Sequence, residues 1–245
     1  MPRFFPKEAD IDGRICSLRG DDFHHLVHVR RVKVGDRLSM KLPDGSVARG
    51  RVLEVSREMV IAEIIDKYDG CRTPVPVTLG LAVLKGKKMD LAIQKSVEVG
   101  VSRIVPLLTE RTVPVIDDKE DRKGDRWARI ALEAAKQSLR CDLPSVERVR
   151  DYRDFLTAAG EEPKILAHPS ENSLQLRDYL RGVDSAGEIF LLIGPEGGFS
   201  PGEIAEARRH GWTDLNFGIT QMRAETAAIV LPAILLYEWS CRNED

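Results

Sequence analysis

Short apolar runs alternate with turns over the first 70 or so residues of the chain. Residues 37–42 and 47–55 have the alternation of β-strands, and the Asp-Gly pair in the turn between them is typical of a β-hairpin. Residues 60–65 predict another strand. Short strands of this kind predict a small β-barrel domain over residues 1–72, followed by a second domain over residues 73–245.

From residue 77 onward, continuous apolar segments alternate with helical periodicity. Strands are predicted at residues 77–84, 103–108, 164–167, 188–193 and 214–217. Apolar residues at helical spacing are Met89, Ile93 and Val97 in one stretch and Trp127, Ile130, Ala131, Ala134 and Ala135 in a later one. Gly100 and Pro144 should end these two helices. Apolar strands alternating with helices predict an α/β domain with a mostly parallel sheet.

A glycine-rich corner follows the predicted strand 188–193. It consists of Gly194, Pro195, Glu196, Gly197 and Gly198, and the helix start behind it contains Ser200, Pro201 and Glu203. Ser200 and Glu203 have the spacing of a capping box. A strand, a glycine turn and a helix start form a common cradle for nucleotide-like ligands. The glycine spacing of the standard phosphate loops is missing, and Glu196 would repel a phosphate. The corner therefore favours a ligand with hydroxyls, amines or positive charge, the alternative being a tight turn only.

Three further groups of polar residues are candidates for chemistry. The first, residues 218–227, contains Arg223 and Glu225 in a loop before an apolar helix, where both side chains can point into one pocket; a surface salt bridge with a helix cap at Thr226 is equally consistent. The second is the set Lys85, Lys87, Lys88, Gln94, Lys95, Glu98, Gln137 and Arg140, which fits RNA phosphates or a solvated basic surface. The third is the set His24, His25, His28, Arg30, Arg31 and Lys33. His24 and His28 have the spacing of a helical metal pair, but no third ligand is placed nearby, so this set favours nucleic acid over a metal, the alternative being a polar surface only.

Composition narrows these possibilities. The net charge is −2, so any contact with nucleic acid must come from local basic patches. The cysteines Cys16, Cys71, Cys141 and Cys241 are scattered and contain no C-x-x-C pair, which predicts free thiols rather than disulfides or a zinc site. No N-terminal signal segment is visible, and the apolar stretch 227–236 is too short to cross a bilayer. We therefore expect a soluble cytoplasmic protein without a metal.

Several of these segments together resemble one enzyme family. They are Arg3-Phe4-Phe5, His25-Leu26 with Val29-Arg30 and Gly35-Asp36, Lys85-Gly86 with Lys88-Met89, residues 93–101, Glu110-Arg111, residues 133–144, residues 192–200 and residues 222–227. The chain resembles, nearly from end to end, the RsmE family of SPOUT-type methyltransferases, which methylate N3 of a uridine in 16S ribosomal RNA. Two departures are visible: Thr220 stands where the family has arginine, and Lys136 stands where an acidic residue is common.

The resemblance implies a PUA-like barrel that binds RNA, followed by a SPOUT domain with a deep trefoil knot in the C-terminal half. It also implies a homodimer, with the apolar helix 227–239 providing much of the contact or else serving as monomer core. S-adenosylmethionine is the implied cofactor. The residues that would bind it are Leu166, Ala167, His168, Ile193, Gly194, Pro195, Glu196, Gly197, Gly198, Phe217, Gly218, Met222, Arg223, Thr226 and Ala227.

The implied reaction needs a base that removes the N3 proton of the uridine and a cation that stabilises the resulting anion. Arg223 and Arg140 are candidates for the cation, Arg140 from the second subunit, and Glu225 either acts as the base or holds Arg223 in place. The candidate RNA-binding residues are Arg3, His25, Arg30, Arg31, Lys33, Lys85, Lys87 and Lys88, and the partner is the small ribosomal subunit.

Three other interpretations remain open. The first is a dinucleotide-dependent oxidoreductase that would use the glycine corner. The glycine spacing of the corner and the charge of Glu196 both argue against this interpretation. A non-catalytic RNA-binding assembly factor would bind RNA without a cofactor. A SPOUT methyltransferase acting on another RNA nucleotide would keep the same fold and cofactor.

Overall fold

The computed structural model describes residues 3–70, 73–112, 120–170, 173–217 and 220–242. The chain forms two compact units. The first consists of Met1–Arg72 and Ala135–Leu143, and the second of Thr73–Ala134 and Pro144–Asp245. No pattern in the sequence assigns Ala135–Leu143 to the first unit.

Six strands form one sheet in the first unit. They are β1 (Arg3–Phe4), β2 (Ile11–Asp12), β3 (Ile15–Arg19), β4 (Arg37–Lys41), β5 (Ser46–Val55) and β6 (Met59–Asp69), in the order β1-β4-β5-β6-β3-β2. β1 and β4 are parallel, and the other pairs are antiparallel. The predicted hairpin between β4 and β5 is confirmed: Gly45 has a φ of +86°, and the Ser46 N–H donates to Asp44 Oδ1 at 2.9 Å.

A short 3-10 turn, Glu8–Asp10, lies between β1 and β2, and helical turns connect β3 to β4. Helix α1 (Gly20–His24) continues directly into a π-helical turn, His25–Val29. Leu26 in this turn is fully buried and packs in the apolar core of the unit with residues such as Met40 and Val60. The turn thus holds one side of His25–Val29 in the core and leaves His28 and Val29 exposed.

Eight parallel strands form the sheet of the second unit. They are β7 (Val77–Ala82), β8 (Arg103–Leu108), β9 (Ser145–Val146), β10 (Arg150–Asp151), β11 (Lys164–Leu166), β12 (Leu174–Gln175), β13 (Ile189–Ile193) and β14 (Thr213–Asn216). The order is β10-β8-β7-β13-β11-β14-β12, and β9 pairs with β8. All residues of β7 and β13 are buried, as expected for strands covered on both faces. The five predicted strands are confirmed within a few residues at each end.

The helices of this unit confirm one predicted end and contradict another. They are α2 (Lys87–Val99), α3 (Glu120–Gln137), α4 (Tyr152–Ala158), α5 (Leu176–Arg181), α6 (Pro201–Arg209) and α7 (Ala224–Arg242). α2 ends at Gly100, whose φ is +120°, as predicted. The prediction that Pro144 ends α3 is wrong. The helix stops after Gln137 because Leu139 adopts a φ of +59° and the Arg140 N–H donates back to Ala135 O at 3.1 Å, a Schellman-type bond.

Helix α7 is apolar around most of its circumference. A stripe of buried residues along it consists of Ala224, Ala228, Leu231, Leu235 and Trp239. Ser96 on α2 donates to Ala228 O at 2.9 Å and so joins the two helices. By length and composition alone, Ala224–Cys241 is the one helix among the described residues that meets the criterion for a membrane span, and core helices meet that criterion as well. The helix therefore extends beyond both ends of the apolar stretch 227–236 that was noted in the sequence.

The sheet order brings three loops to one edge. β13, β11 and β14 are neighbours and parallel, so the loops that follow them leave the same edge of the sheet. These loops contain the predicted cofactor-binding segments. The trefoil knot stays a prediction, since strand order alone does not define how the chain is threaded.

Candidate functional site

A cavity of about 480 Å³ lies where the three loops meet. Its lining residues are Lys88, Ala167, His168, Pro169, Ile193, Gly194, Pro195, Glu196, Gly198, Phe199, Leu215, Asn216, Phe217, Thr220, Gln221, Met222, Arg223, Ala224, Ala227 and Leu231. The volume falls within the usual range of sites for small molecules and cofactors. The lining combines apolar side chains with a few charged ones, and this composition suits a ligand with both an aromatic and a charged part.

The glycine corner after β13 forms one wall. The Gly198 N–H donates to Pro195 O at 2.9 Å, and Gly198 has a φ of +67°, which is favourable only for glycine. At Gly194 an added Cβ would lie 3.1 Å from the ring of Phe199. These two glycines therefore let the chain turn sharply and bring its backbone to the cavity.

Behind the corner, α6 begins with the predicted capping box, which is confirmed. The Glu203 N–H donates to Ser200 Oγ at 3.2 Å, the Ser200 N–H donates to Glu203 Oε2 at 2.7 Å, and Pro201 occupies the first helical turn. Glu203 is 4% exposed, and its Oε1 also accepts the N–H of Glu110 at 2.8 Å. Glu203 thus joins the corner, α6 and the loop after β8. The contact with Glu110, far away in sequence, had no signal in the sequence.

Glu196 and Lys88 form an ion pair at the cavity, with Lys88 Nζ 3.0 Å from Glu196 Oε1. Partial burial raises the pKa of Glu196, but hydrogen bonds from Lys88 and from the backbone, with the charge of Lys88, outweigh it and leave the pKa below its ordinary value. Glu196 is therefore ionised at neutral pH. The pair brings together a residue predicted to bind the cofactor and one predicted to bind RNA.

The loop after β11 is held by a buried carboxylate that the sequence did not reveal. The Ser170 Oγ donates to Asp214 Oδ2 at 3.2 Å, and Arg208 on α6 forms an ion pair with the same carboxylate. Asp214 lies in β14 and is 9% exposed. Because Asp214 bonds to both segments, it holds the His168 loop next to β14. The strand reads Thr-Asp-Leu-Asn, and nothing in this sequence marks Asp214 as a buried partner of Ser170 and Arg208.

The Arg223 region lies at the start of α7. The Ala227 N–H donates to Arg223 O at 2.8 Å, so Arg223 stands at the helix boundary, exposed and lining the cavity. Glu225 lies in the first turn; its Oε2 is buried and has no hydrogen-bond partner within the described part of the chain. Among the same residues no ion pair joins Arg223 to Glu225. The surface salt bridge considered from the sequence is therefore not found.

Most of the predicted cofactor-binding residues line the cavity: Ala167, His168, Ile193, Gly194, Pro195, Glu196, Gly198, Phe217, Met222, Arg223 and Ala227. Leu166, fully buried in β11, does not, and neither do Gly197 and Thr226, which are exposed. Gly218 lies outside the described residues. Pro169, Phe199, Leu215, Asn216 and Leu231 line the cavity as well and had no signal of their own, because they are apolar or polar residues of ordinary loops and helices.

The candidate RNA-binding residues differ in exposure. Arg30, Arg31, Lys33, Lys85 and Lys87 are exposed, and His25 is half-buried beside Phe4. Arg3 does not fit this role, because it is 7% exposed, its Nε donates to Ser39 Oγ at 3.2 Å, and its Nη1 donates to the carbonyl of Leu139. A guanidinium held in this way stabilises the first unit rather than binding phosphate.

Arg140 and Lys136 both lie in the segment Ala135–Leu143 of the first unit, Lys136 in the last turn of α3 and Arg140 after the helix. Arg140 is 8% exposed; its Nε donates to Asp142 Oδ1 at 3.1 Å, and a second bond completes the ion pair. The Lys136 side chain is 3% exposed and lies 2.6 Å from Asp22 of α1. Lys136, which departs from the family pattern, therefore has a partly buried carboxylate partner within the same unit.

Within the described part of the chain, the histidines and cysteines form no recognisable metal centre. The rings of His24 and His28 lie 4.8 Å apart, yet no group of three metal-binding side chains occurs in residues 3–70, 73–112, 120–170, 173–217 or 220–242. Cys16 is buried in the core of the first unit, where burial raises the pKa of its thiol to about 12, and Cys141 and Cys241 are free. Cys71 lies outside the described residues.

Comparison with known proteins identifies the class of both parts of the chain. Residues 71–236 match the RNA methyltransferase domain family, and residues 18–65 match the RNA methyltransferase PUA domain family. The ribosomal RNA small subunit methyltransferase E 2 of Borreliella burgdorferi is 31% identical over 84% of this chain and 84% of its own length. The predicted fold class, a parallel-sheet SPOUT methyltransferase domain with an N-terminal PUA-like domain, is confirmed by the solved relatives.

Two of those structures contain a ligand. A methyltransferase of Legionella pneumophila in complex with bound SAM has a TM-score of 0.86 and 30% identity, over 97% of both chains. The ribosomal RNA small subunit methyltransferase E of Neisseria gonorrhoeae, bound to S-adenosyl methionine, has a TM-score of 0.85 and 26% identity over 98% of both chains. The match over most of the chain shows that this protein belongs to the ribosomal RNA small subunit methyltransferase E family.

Proposed function

We propose that this chain transfers a methyl group from S-adenosylmethionine to N3 of a specific uridine in the 16S RNA of the small ribosomal subunit. The observation that carries this proposal is the cavity at the carboxyl edge of β13, β11 and β14, lined by an ionised Glu196 and lacking a phosphate-binding glycine spacing. The names and bound cofactor of the related methyltransferases support it.

The lining of the cavity fits this cofactor. Apolar side chains, among them Phe217, Leu215 and Leu231, suit the adenine ring, and the Glu196 carboxylate suits hydroxyls or positive charge. A pyrophosphate of a dinucleotide would face Glu196, and this contact argues against the oxidoreductase alternative. When bound, the cofactor supplies an electrophilic methyl group on a positively charged sulfur.

We assign to Arg223 the role of stabilising the anion that forms on the target base. Uridine N3 carries a proton and becomes nucleophilic only when the proton leaves, so a cation near the base oxygens lowers the barrier. Arg223 lines the cavity with an exposed side chain. Arg140, the other candidate, is buried and bound to Asp142, so it would have to give up that pair before acting from a partner subunit.

Glu225 is the candidate for the base. Its buried Oε2 has no hydrogen-bond partner among the described residues. An unpaired buried acceptor destabilises a protein unless a ligand or another group donates a hydrogen bond to it. No ion pair to Arg223 occupies it, which weakens the alternative that Glu225 merely holds Arg223. In this proposal Glu225 accepts the N3 proton, which requires its side chain to turn toward the cavity.

The RNA is bound through phosphates. Exposed Arg30, Arg31 and Lys33 in the first unit and Lys85 and Lys87 in the second provide the positive charge. Because phosphate binding releases counterions, affinity for RNA should fall steeply as salt is added. An affinity that does not change with salt would contradict this assignment.

The protein acts as a homodimer in the cytoplasm, where the small ribosomal subunit is assembled. One side of α7 is buried in the monomer, and the other carries apolar Ile229, Val230 and Ile234 half-buried and Tyr237 67% exposed. An apolar surface of this kind on a helix fits a contact between subunits. The buried side of α7 therefore serves as monomer core, and its half-buried side is available for the contact between subunits.

The test is methyl transfer from labelled S-adenosylmethionine to small ribosomal subunits that lack this modification, followed by nucleoside analysis. Labelled N3-methyluridine is the expected product. Label in another nucleoside would keep the enzyme class and overturn the substrate. Binding of RNA without binding of the cofactor would favour the non-catalytic assembly factor instead.

A further inference from the structure

The turn that follows β8 has no role in the proposed function, although Glu110 and Arg111 form one of the segments noted in the sequence. Thr109 and Thr112 close this turn. The Thr112 N–H donates to Thr109 O at 3.0 Å, the Thr109 N–H donates to Thr112 Oγ1 at 3.0 Å, and the two hydroxyls lie 2.7 Å apart. These bonds hold Glu110 and Arg111 in one orientation.

Arg111 is bonded to the outer side of the glycine corner. Its Nη1 donates to Gly197 O at 2.8 Å and to Phe199 O at 3.3 Å, and its stem lies against Gly197, where an added Cβ would be 3.6 Å from Arg111 Cδ. The neighbouring Glu110 N–H donates to Glu203 Oε1 at 2.8 Å. The turn thus contacts the middle of the corner and the start of α6 at the same time.

The two carbonyls that Arg111 binds lie on either side of Gly198. Adjacent glycines have more backbone freedom than any other pair of residues, so the peptide planes of Gly197 and Gly198 need external restraints. A guanidinium presents several donors in a rigid plane and makes stronger bonds to carbonyls than a neutral donor does. Arg111 therefore restricts the part of the corner that has the least intrinsic order.

We propose that Arg111 is a positioning residue for the cofactor loop, holding the backbone of residues 194–198 in the conformation that lines the cavity. It does not itself line the cavity. Its effect is pre-organisation: a loop already in its binding conformation loses less entropy when a ligand binds. The inference rests on the proposed function, because it assigns this loop to S-adenosylmethionine.

The experiment compares Arg111→Ala and Arg111→Lys with the wild-type protein and with Arg153→Ala. Arg153 is a matched control, since it is an exposed arginine that bonds to Glu206 on the same α6 but not to the corner. For each protein we would measure the Kd for S-adenosylmethionine by calorimetry, kcat and KM for methyl transfer, RNA affinity, and amide hydrogen exchange of residues 194–200.

For Arg111→Ala we expect the Kd and KM for S-adenosylmethionine to rise about tenfold, because binding must then order about one more loop residue at a cost of about 1–2 kcal/mol. The kcat at saturating cofactor and the RNA affinity should stay within about twofold, because Arg111 touches neither reacting group. Exchange at residues 194–200 should become faster. The Kd and exchange rates of Arg111→Lys should fall between those of the wild type and of Arg111→Ala, since an ammonium reaches one carbonyl but cannot form the planar fork. Arg153→Ala should match the wild type.

Two outcomes would overturn the inference. If Arg111→Ala kept its affinity for the cofactor and lost affinity for RNA, Arg111 would be an RNA contact. If cofactor affinity fell without faster exchange at residues 194–200, the loop would not depend on Arg111. Failure of the proposed function is distinguishable, because the wild-type protein itself would then not bind the cofactor.

Discussion

Glu203→Gln tests how the cofactor loop is attached to the fold. The carboxylate accepts two backbone N–H groups, from Ser200 at 2.7 Å and from Glu110 at 2.8 Å, and it is almost completely buried. Glutamine has the same shape but only one acceptor oxygen, and its amide presents donors to the other N–H. The substitution therefore leaves one buried backbone donor unpaired without creating a cavity.

The expected cost follows from these contacts. An unpaired buried donor costs about 1–3 kcal/mol, and the loss of a negative charge at the N-terminus of α6 costs about 0.3–1 kcal/mol. We therefore expect the free energy of unfolding to fall by roughly 2–3 kcal/mol, which corresponds to a decrease in Tm of roughly 5–10 °C for a domain of this size.

Tryptophan fluorescence during urea unfolding is a suitable assay, because Trp127, Trp212 and Trp239 all belong to the second unit. Glu206→Gln is the matched control on the same helix, since Glu206 pairs with the exposed Arg153, and it should leave the unfolding midpoint nearly unchanged. If Glu203→Gln were as stable as this control, the two backbone contacts would not hold the loop and the reasoning would be refuted.

Four other substitutions have defined outcomes. Gly80→Ala should destabilise the second unit by about 3 kcal/mol in fluorescence-monitored unfolding, because the new Cβ would lie 2.3 Å from the ring of buried Phe155; a stable variant would show that the ring can move aside. Lys136→Met should cost about 3 kcal/mol and speed amide exchange in the first unit, since it leaves a largely buried carboxylate unpaired; unchanged exchange would contradict this. Arg223→Ala should lower methyl transfer by about 10²–10³-fold with little effect on cofactor affinity, and equal losses would disprove its role. Glu225→Gln should lower kcat by about 10²–10⁴-fold if the carboxylate is the base, and an unchanged kcat would exclude that role.

Much of the second unit could be predicted from sequence because its signals are local. β13 is apolar at every position and buried at every position, and the helix start after it has its capping residues three positions apart. Helix α2 has its apolar residues at a helical repeat and ends at Gly100, which has a positive φ. In each case one short stretch of sequence contains both the pattern and its physical cause.

Other features depend on distant contacts and could not be predicted. Strands β9, β10 and β12 have two residues each, too few for any periodicity. α3 stops after Gln137 because Leu139, two residues on, adopts the left-handed conformation, which no propensity of leucine favours. Arg3 resembled a surface residue but is buried against a carbonyl more than a hundred residues away in sequence. Pairing of this kind is decided by tertiary packing, which single-sequence patterns do not encode.

The cavity itself depends on polar contacts more than on the apolar core. Loops expose backbone donors and acceptors that the core cannot satisfy, so each loop needs a polar partner. Glu203 holds the corner after β13, Asp214 holds the loop after β11, and Glu196 binds Lys88 at the mouth. Glu203 and Asp214 are buried, at 4% and 9% exposed, whereas the side chain of Glu196 is 30% exposed. Since a carboxylate contact stabilises a fold more when it is buried, the first two determine the shape of the site, and Glu196 remains free to act on the charge of its ligand.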